Sequence, residues 1–151
     1  MNTIDKIRES NRIEGILRDP STAEIVEFDN FIGLDQVKIH HLENFVSIYQ
    51  PNAVMRTRVG LNVQVGGHTP PKGGPHIAEQ LQALLDDANK AQGSDEAWNI
   101  HIQYEMLHPF TDGNGRSGRM LWYWMMGWNS NLGFLHSFYY QTLSARQRNM
   151  I

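Results

Sequence analysis

The chain has 151 residues, 40% of them hydrophobic and 19% charged, with 13 Lys and Arg against 16 Asp and Glu for a formal charge of −3. One ordinary domain of this length buries roughly 70% of the surface its unfolded chain exposes, so it needs no metal or disulfide to fold. The lack of cysteine excludes disulfide frameworks, zinc ribbons and thiolate nucleophiles and fits a reducing cytoplasm, while the mild negative charge, with no Lys/Arg cluster, argues against nucleic acid as a ligand.

The N-terminal stretch MNTIDKIRESNR mixes charges of both signs and lacks the apolar segment of a classical signal peptide. Helical spacing appears at Ile4, Ile7 and 13–17, then over 34–49, 77–89, 96–107 and 116–128, which predicts a mostly α fold. Between Val59 and Thr69 the period changes to two: Val59, Leu61, Val63 and Val65 alternate with Gly60, Asn62 and Gln64. Gly66-Gly67 then offers a tight turn and Pro70-Pro71 a stop, predicting a small β-hairpin carried by a helical body. The last helix is apolar almost all round from Met120 to Trp128, which predicts a place at the centre of the core. Its longest unbroken apolar run, Met120 to Met126, is far short of the roughly 20 residues a membrane-spanning helix requires, and no membrane partner is expected.

That helix opens with HPFTDGNGRSGR, which puts Arg116 and Arg119 in its first turn. A helix N-terminus carries partial positive charge, so two cations there imply an anion in the same place. Gly113, Asn114 and Gly115 allow the backbone to curl around such an anion with free N–H groups. The two guanidinium groups, on one helix face, suit a di- or triphosphate. Asp112 beside that nest calls for a divalent cation, and Mg²⁺ commonly binds through one carboxylate plus substrate phosphates. His108, at the end of the preceding helix, stands at the lip of the same cavity, where a neutral imidazole can take a proton from a hydroxyl. Phe110 is the apolar anchor of the loop.

HPFTDGNGRSGR resembles the signature of the Fic (filamentation induced by cAMP) family, HxFx(D/E)GNGRxxR, with every specified position met. The resemblance implies a helical Fic-like bundle with a β-hairpin flap over the site, and a protein adenylyltransferase that moves AMP from ATP to a Ser, Thr or Tyr hydroxyl. It implies His108 as general base, Asp112 as Mg²⁺ ligand and Gly113, Asn114 and Gly115 as anion hole. Arg116 would serve the α/β-phosphates and Arg119 the γ-phosphate. Val63, Gln64, Val65, Gly66, Gly67 and His68 would form the flap that docks the target.

Ser10-Asn11-Arg12-Ile13-Glu14-Gly15 resembles the inhibitory motif (S/T)xxxE(G/N) of autoinhibited Fic proteins. It implies that Ser10, Glu14 and Gly15 form a brake in which Glu14 pairs with Arg119, the arrangement of the N-terminally inhibited class. The expected organisation is a single Fic domain over 1–151, with an inhibitory helix region at 1–20 and the Fic core with flap at 50–130. Three alternatives stand beside it: Doc-like phosphotransfer, which the retained GNG disfavours, another nucleotidyl transfer, or a locked nucleotide-sensing or toxin–antitoxin module. A zinc-hydrolase reading of the seven histidines is weakest, because His40 and His41 are adjacent and His68, His76, His101 and His136 lack HExxH-like spacing. The target protein and any homo-oligomer are not readable from these residues.

Overall fold

A computed structural model describes residues 2–127. Trp128 and His136, named above, lie outside the described residues. The helices in chain order are α1 (Thr3–Ile13), α2 (Thr22–Ile32), α3 (Ile39–Tyr49), α4 (His76–Ala88), α5 (Ser94–Leu107) and α6 (Asn114–Met126). The fold is all-α, as the periodicity predicts. α6 packs against α1, α2, α3 and α5, with Met120, Leu121, Trp122 and Tyr123 buried, so the helix runs through the core as far as Tyr123.

Local chemistry sets the helix ends. The Asn2 side chain accepts from Asp5 N at 2.8 Å to start α1. That helix stops at Ile13, short of the predicted 17, because Gly15 takes a φ of +76° and turns the chain. Sequence spacing missed α2, whose signal is a capping box: Ser21 Oγ accepts from Glu24 N at 3.1 Å, and Glu24 Oε1 accepts from Ser21 N at 2.8 Å. α3 likewise begins at Ile39 rather than 34. Val37 is wedged instead against Asn89, whose side chain bonds both its N–H and its C=O, at 2.9 and 3.0 Å.

The predicted hairpin is reduced to its tip. Val65 and His68 exchange two backbone bonds, 3.0 and 2.9 Å, around Gly66-Gly67, with Gly66 at a φ of +56°. The next hydrogen-bonded pair would be Val63 with Pro70, and Pro70 has no N–H to donate, so the ladder ends there. Side-chain bonds replace it: Gln64 Nε2 donates to Gly66 O and His68 O, both at 3.0 Å, and Thr69 Oγ1 donates to Gln64 Oε1 at 2.9 Å. The alternation survives without the sheet, with Val63 and Val65 half-buried and Asn62 and Gln64 exposed.

Candidate active site

The segment between α5 and α6 is shaped by two left-handed residues. His108 ends α5 at φ 51° and ψ 63°, and Gly113 starts α6 at φ 78°. Between them Phe110 is buried, as expected of an anchor. Asn114 holds it from both sides: Oδ1 accepts from Phe110 N and Nδ2 donates to Phe110 O, each at 2.9 Å. The Asn114 side chain is therefore a staple, and what it offers an anion is its backbone N–H. Segment 54–56 ties the loop down through Thr111 N to Val54 O at 2.9 Å and Arg56 N to Pro109 O at 2.8 Å.

A cavity of about 740 Å³ opens above this loop. His108, Asp112, Gly113, Asn114, Gly115, Arg116 and Arg119 line it from below, Val63, Gln64 and Val65 from the flap, and Ile13, Glu14 and Ile16 from the end of α1. The candidate residues thus converge, except that Ser10, Gly15, Gly66, Gly67 and His68 stand outside the lining. Ser10 reaches it through Arg119, and His68 turns to α5, where its Nε2–H donates to Met106 O at 2.9 Å.

The two arginines are not left waiting for an anion, which corrects the electrostatic argument from sequence. Arg116 donates to Tyr49 O at 2.9 Å and Gln50 Oε1 at 2.6 Å, so its charge caps the negative C-terminal end of α3. Arg119 donates from Nε to Ser10 Oγ at 2.8 Å and from Nη2 to Ser10 O at 3.1 Å and Glu14 Oε1 at 2.7 Å. The Glu14 carboxylate also lies so close to Gly115 that a Cβ there would collide with its Oε1. The start of α6 does hold an anion, and the chain itself supplies it.

His108 Nδ1 lies 3.2 Å from Glu105 O. A carbonyl only accepts, so Nδ1 carries the proton and Nε2 keeps its lone pair. Burial, opposed by that bond and reinforced by Arg56 and His68, holds the imidazole below its ordinary pKa and hence neutral near pH 7. Asp112 is exposed at the cavity mouth and accepts from Gly113 N at 2.8 Å. A lone carboxylate suits Mg²⁺ shared with phosphates, and no cluster of three or more His, Asp or Glu exists among the described residues.

Sequence reasoning missed Glu105. It is buried beside the cavity with Oε1 unpartnered, and burial pushes its carboxyl up to about 8, with Arg119 opposing and Glu14 assisting. A Cβ on Gly118 would strike Glu105 and Tyr104, which explains the glycine inside the motif: it lets α5 and α6 touch. His101 Nδ1 bonds Gly118 O at 3.1 Å across the same contact.

Among the described residues no helix is long and apolar enough to cross a membrane. Comparison with protein-family models matches residues 32–126, more than half of the chain, to the Fic/DOC family, whose members transfer nucleotidyl or phosphoryl groups onto proteins. The match begins at the last residue of α2, so α5, the His108 loop and α6 fall inside it while Ser10 and Glu14 fall outside. With the motif assembled around one cavity, the chain belongs to the Fic/DOC family.

Proposed function

We propose that this chain is a protein adenylyltransferase of the N-terminally inhibited class, moving AMP from Mg-ATP to a Ser, Thr or Tyr hydroxyl. Residues 1–20 act as the inhibitory region. The observation that carries the reading is one cavity in which a neutral imidazole with a free Nε2 stands beside the N–H groups that open α6. Asp112 would hold Mg²⁺, which supplies positive charge to the polyphosphate when bound.

His108 Nε2 takes the proton of the target hydroxyl as its oxygen bonds to the α-phosphorus. The bond from that phosphorus to the β-phosphate oxygen breaks, and pyrophosphate leaves. The backbone N–H groups of Gly113, Asn114 and Gly115 carry the developing negative charge. Val63 and Val65, facing the cavity from the flap, hold the target segment. Glu14 opposes all this by occupying Gly115 and Arg119 with its own carboxylate.

The test is intact mass after incubating Glu14→Gly with Mg-ATP, alone and in a lysate. Addition of AMP supports the reading, with His108→Ala in that background lowering transfer by about 10²–10⁴-fold while ATP still binds. Addition of phosphate instead would assign Doc-like chemistry, and ATP binding without transfer would make the chain a sensor.

A further inference from the structure

Arg56 is fully buried, yet among the described residues no carboxylate pairs with it. Four backbone carbonyls surround its guanidinium instead. Nε donates to His108 O at 2.6 Å and Nη2 to Leu107 O at 2.8 Å, while Nη1 donates to Pro71 O at 2.8 Å and Leu61 O at 3.1 Å. The first two are carbonyls at the C-terminal end of α5, where a cation is favoured and no further helical turn can bond them. The other two bracket the flap. One side chain therefore joins both feet of the flap to the residue that carries the imidazole.

His108 needs such a restraint. Its left-handed backbone is costly for a residue with a Cβ and persists only where its surroundings enforce it. The local chain path does not depend on the guanidinium, because Arg56 N bonds Pro109 O at 2.8 Å, Gly74 N bonds Arg56 O at 3.0 Å, and Asn62 Oδ1 accepts from Gly73 N at 2.9 Å. These bonds close the base of the flap by themselves. At the tip, His68 already bonds Met106 O at 2.9 Å; what the Arg56 side chain adds is the link from the feet of the flap to His108 itself.

We infer that Arg56 is the positioning residue of this site: it fixes the spacing between the flap and the His108 ring, so that seating a target segment and presenting the base are one event. The inference rests on His108 as base and the flap as docking segment, as proposed above. The same cation faces the ring electrostatically, together with His68 from the flap and Asp112 from the loop, the last with opposite effect.

Arg56→Lys and Arg56→Met, each in the full chain carrying Glu14→Gly, separate this from a purely structural role. Lys keeps the charge and cannot span four carbonyls, whereas Met keeps the length and loses the charge. Both are expected to bind Mg-ATP with near-parental Kd and to lose at least about tenfold in kcat for AMP transfer. The His108 ring, titrated by NMR, is expected to move up in Arg56→Met and to stay put in Arg56→Lys. Parental kcat in Arg56→Lys, or an unmoved His108 titration in Arg56→Met, would overturn the inference. Failure of both variants to fold would also overturn it, leaving the guanidinium to stability alone. If the Glu14→Gly parent transfers nothing, the proposed reaction falls, while the ring titration still decides the part played by Arg56.

Discussion

The two ends of the cavity hold their arginines with different partners. Arg116 is tied to Tyr49 O and Gln50, on α3 and just after it, inside the region shared with the family. Arg119 is tied to Ser10 Oγ, Ser10 O and Glu14, on and just after a helix before that region. The carbonyls of Tyr49 and Ser10 cannot leave without unravelling the fold, whereas the Glu14 side chain is 39% exposed and can swing away from Arg119 while Ser10 still holds it. The Arg116 end is thus permanent and the Glu14 end exchangeable, although the two arginines stand one turn apart on the same helix.

Substitutions at the two ends should separate stability from activity. The largest effect is expected at the permanent end. Arg116→Ala strips Tyr49 O of its partner and should cost about 2–4 kcal/mol of stability, seen as a Tm lower by roughly 4–16 °C. Little change in Tm would break the distinction. At the exchangeable end, Glu14→Gly should raise transfer from labelled ATP about 10–150-fold, the equivalent of a charge-assisted bond of about 1.5–3 kcal/mol, even though losing that bond lowers Tm. Equal rates in parent and variant would remove the brake.

Glu105, beneath the Glu14–Arg119 pair, gives a pH-dependent test of the same end. Its folded-state pKa is raised from 4.5 to about 8, so the folded chain keeps a proton that the unfolded chain loses. Stability from this group therefore falls as pH rises through that window and levels off above it. Glu105→Gln should melt higher than the parent by a margin that widens from pH 5 to pH 8. Melting curves that stay parallel across the window would contradict the burial of an unpartnered carboxyl.

The smallest effect concerns the base. Because His108 lies below the ordinary histidine pKa, transfer by the brake-free variant should hold at pH 6.5 and decline only as pH falls further. A rate already halved at pH 6.5 would point to an imidazole that burial does not depress.

The motif was legible because its glycines, histidine and arginines sit at fixed spacing in one short stretch, and the SNRIEG pattern led to Glu14 in the same way. The partners of Arg116 and Asn114 were not legible, because Tyr49 O and the backbone of Phe110 have no residue-specific signature. The same holds for Arg56, whose four acceptors are all main-chain oxygens, from five to 52 residues away along the chain. α2 escaped because its start is written in a capping box rather than in a strong apolar stripe, although S-T-A-E at 21–24 could have revealed it. The flap erred the other way: its alternation is real, but the ladder it suggested is cut by one missing amide proton.

α1 is seated independently of Glu14. Ile7 and Asn11 are buried, Lys6 lies 5.3 Å from the centre of the Tyr123 ring, and Arg18 clamps Glu24 at 2.6 Å beyond the turn. Glu14 hangs just past the last residue of that docked helix, so withdrawing its carboxylate from Arg119 and Gly115 requires a rotation of one side chain, a motion of picoseconds to nanoseconds, and no undocking. If Glu14 is the brake proposed above, a latch of about 1.5–3 kcal/mol is open in roughly one molecule in ten to one in 150 at any instant. The chain would idle rather than stop, and a regulator need only wait for the open form and keep it.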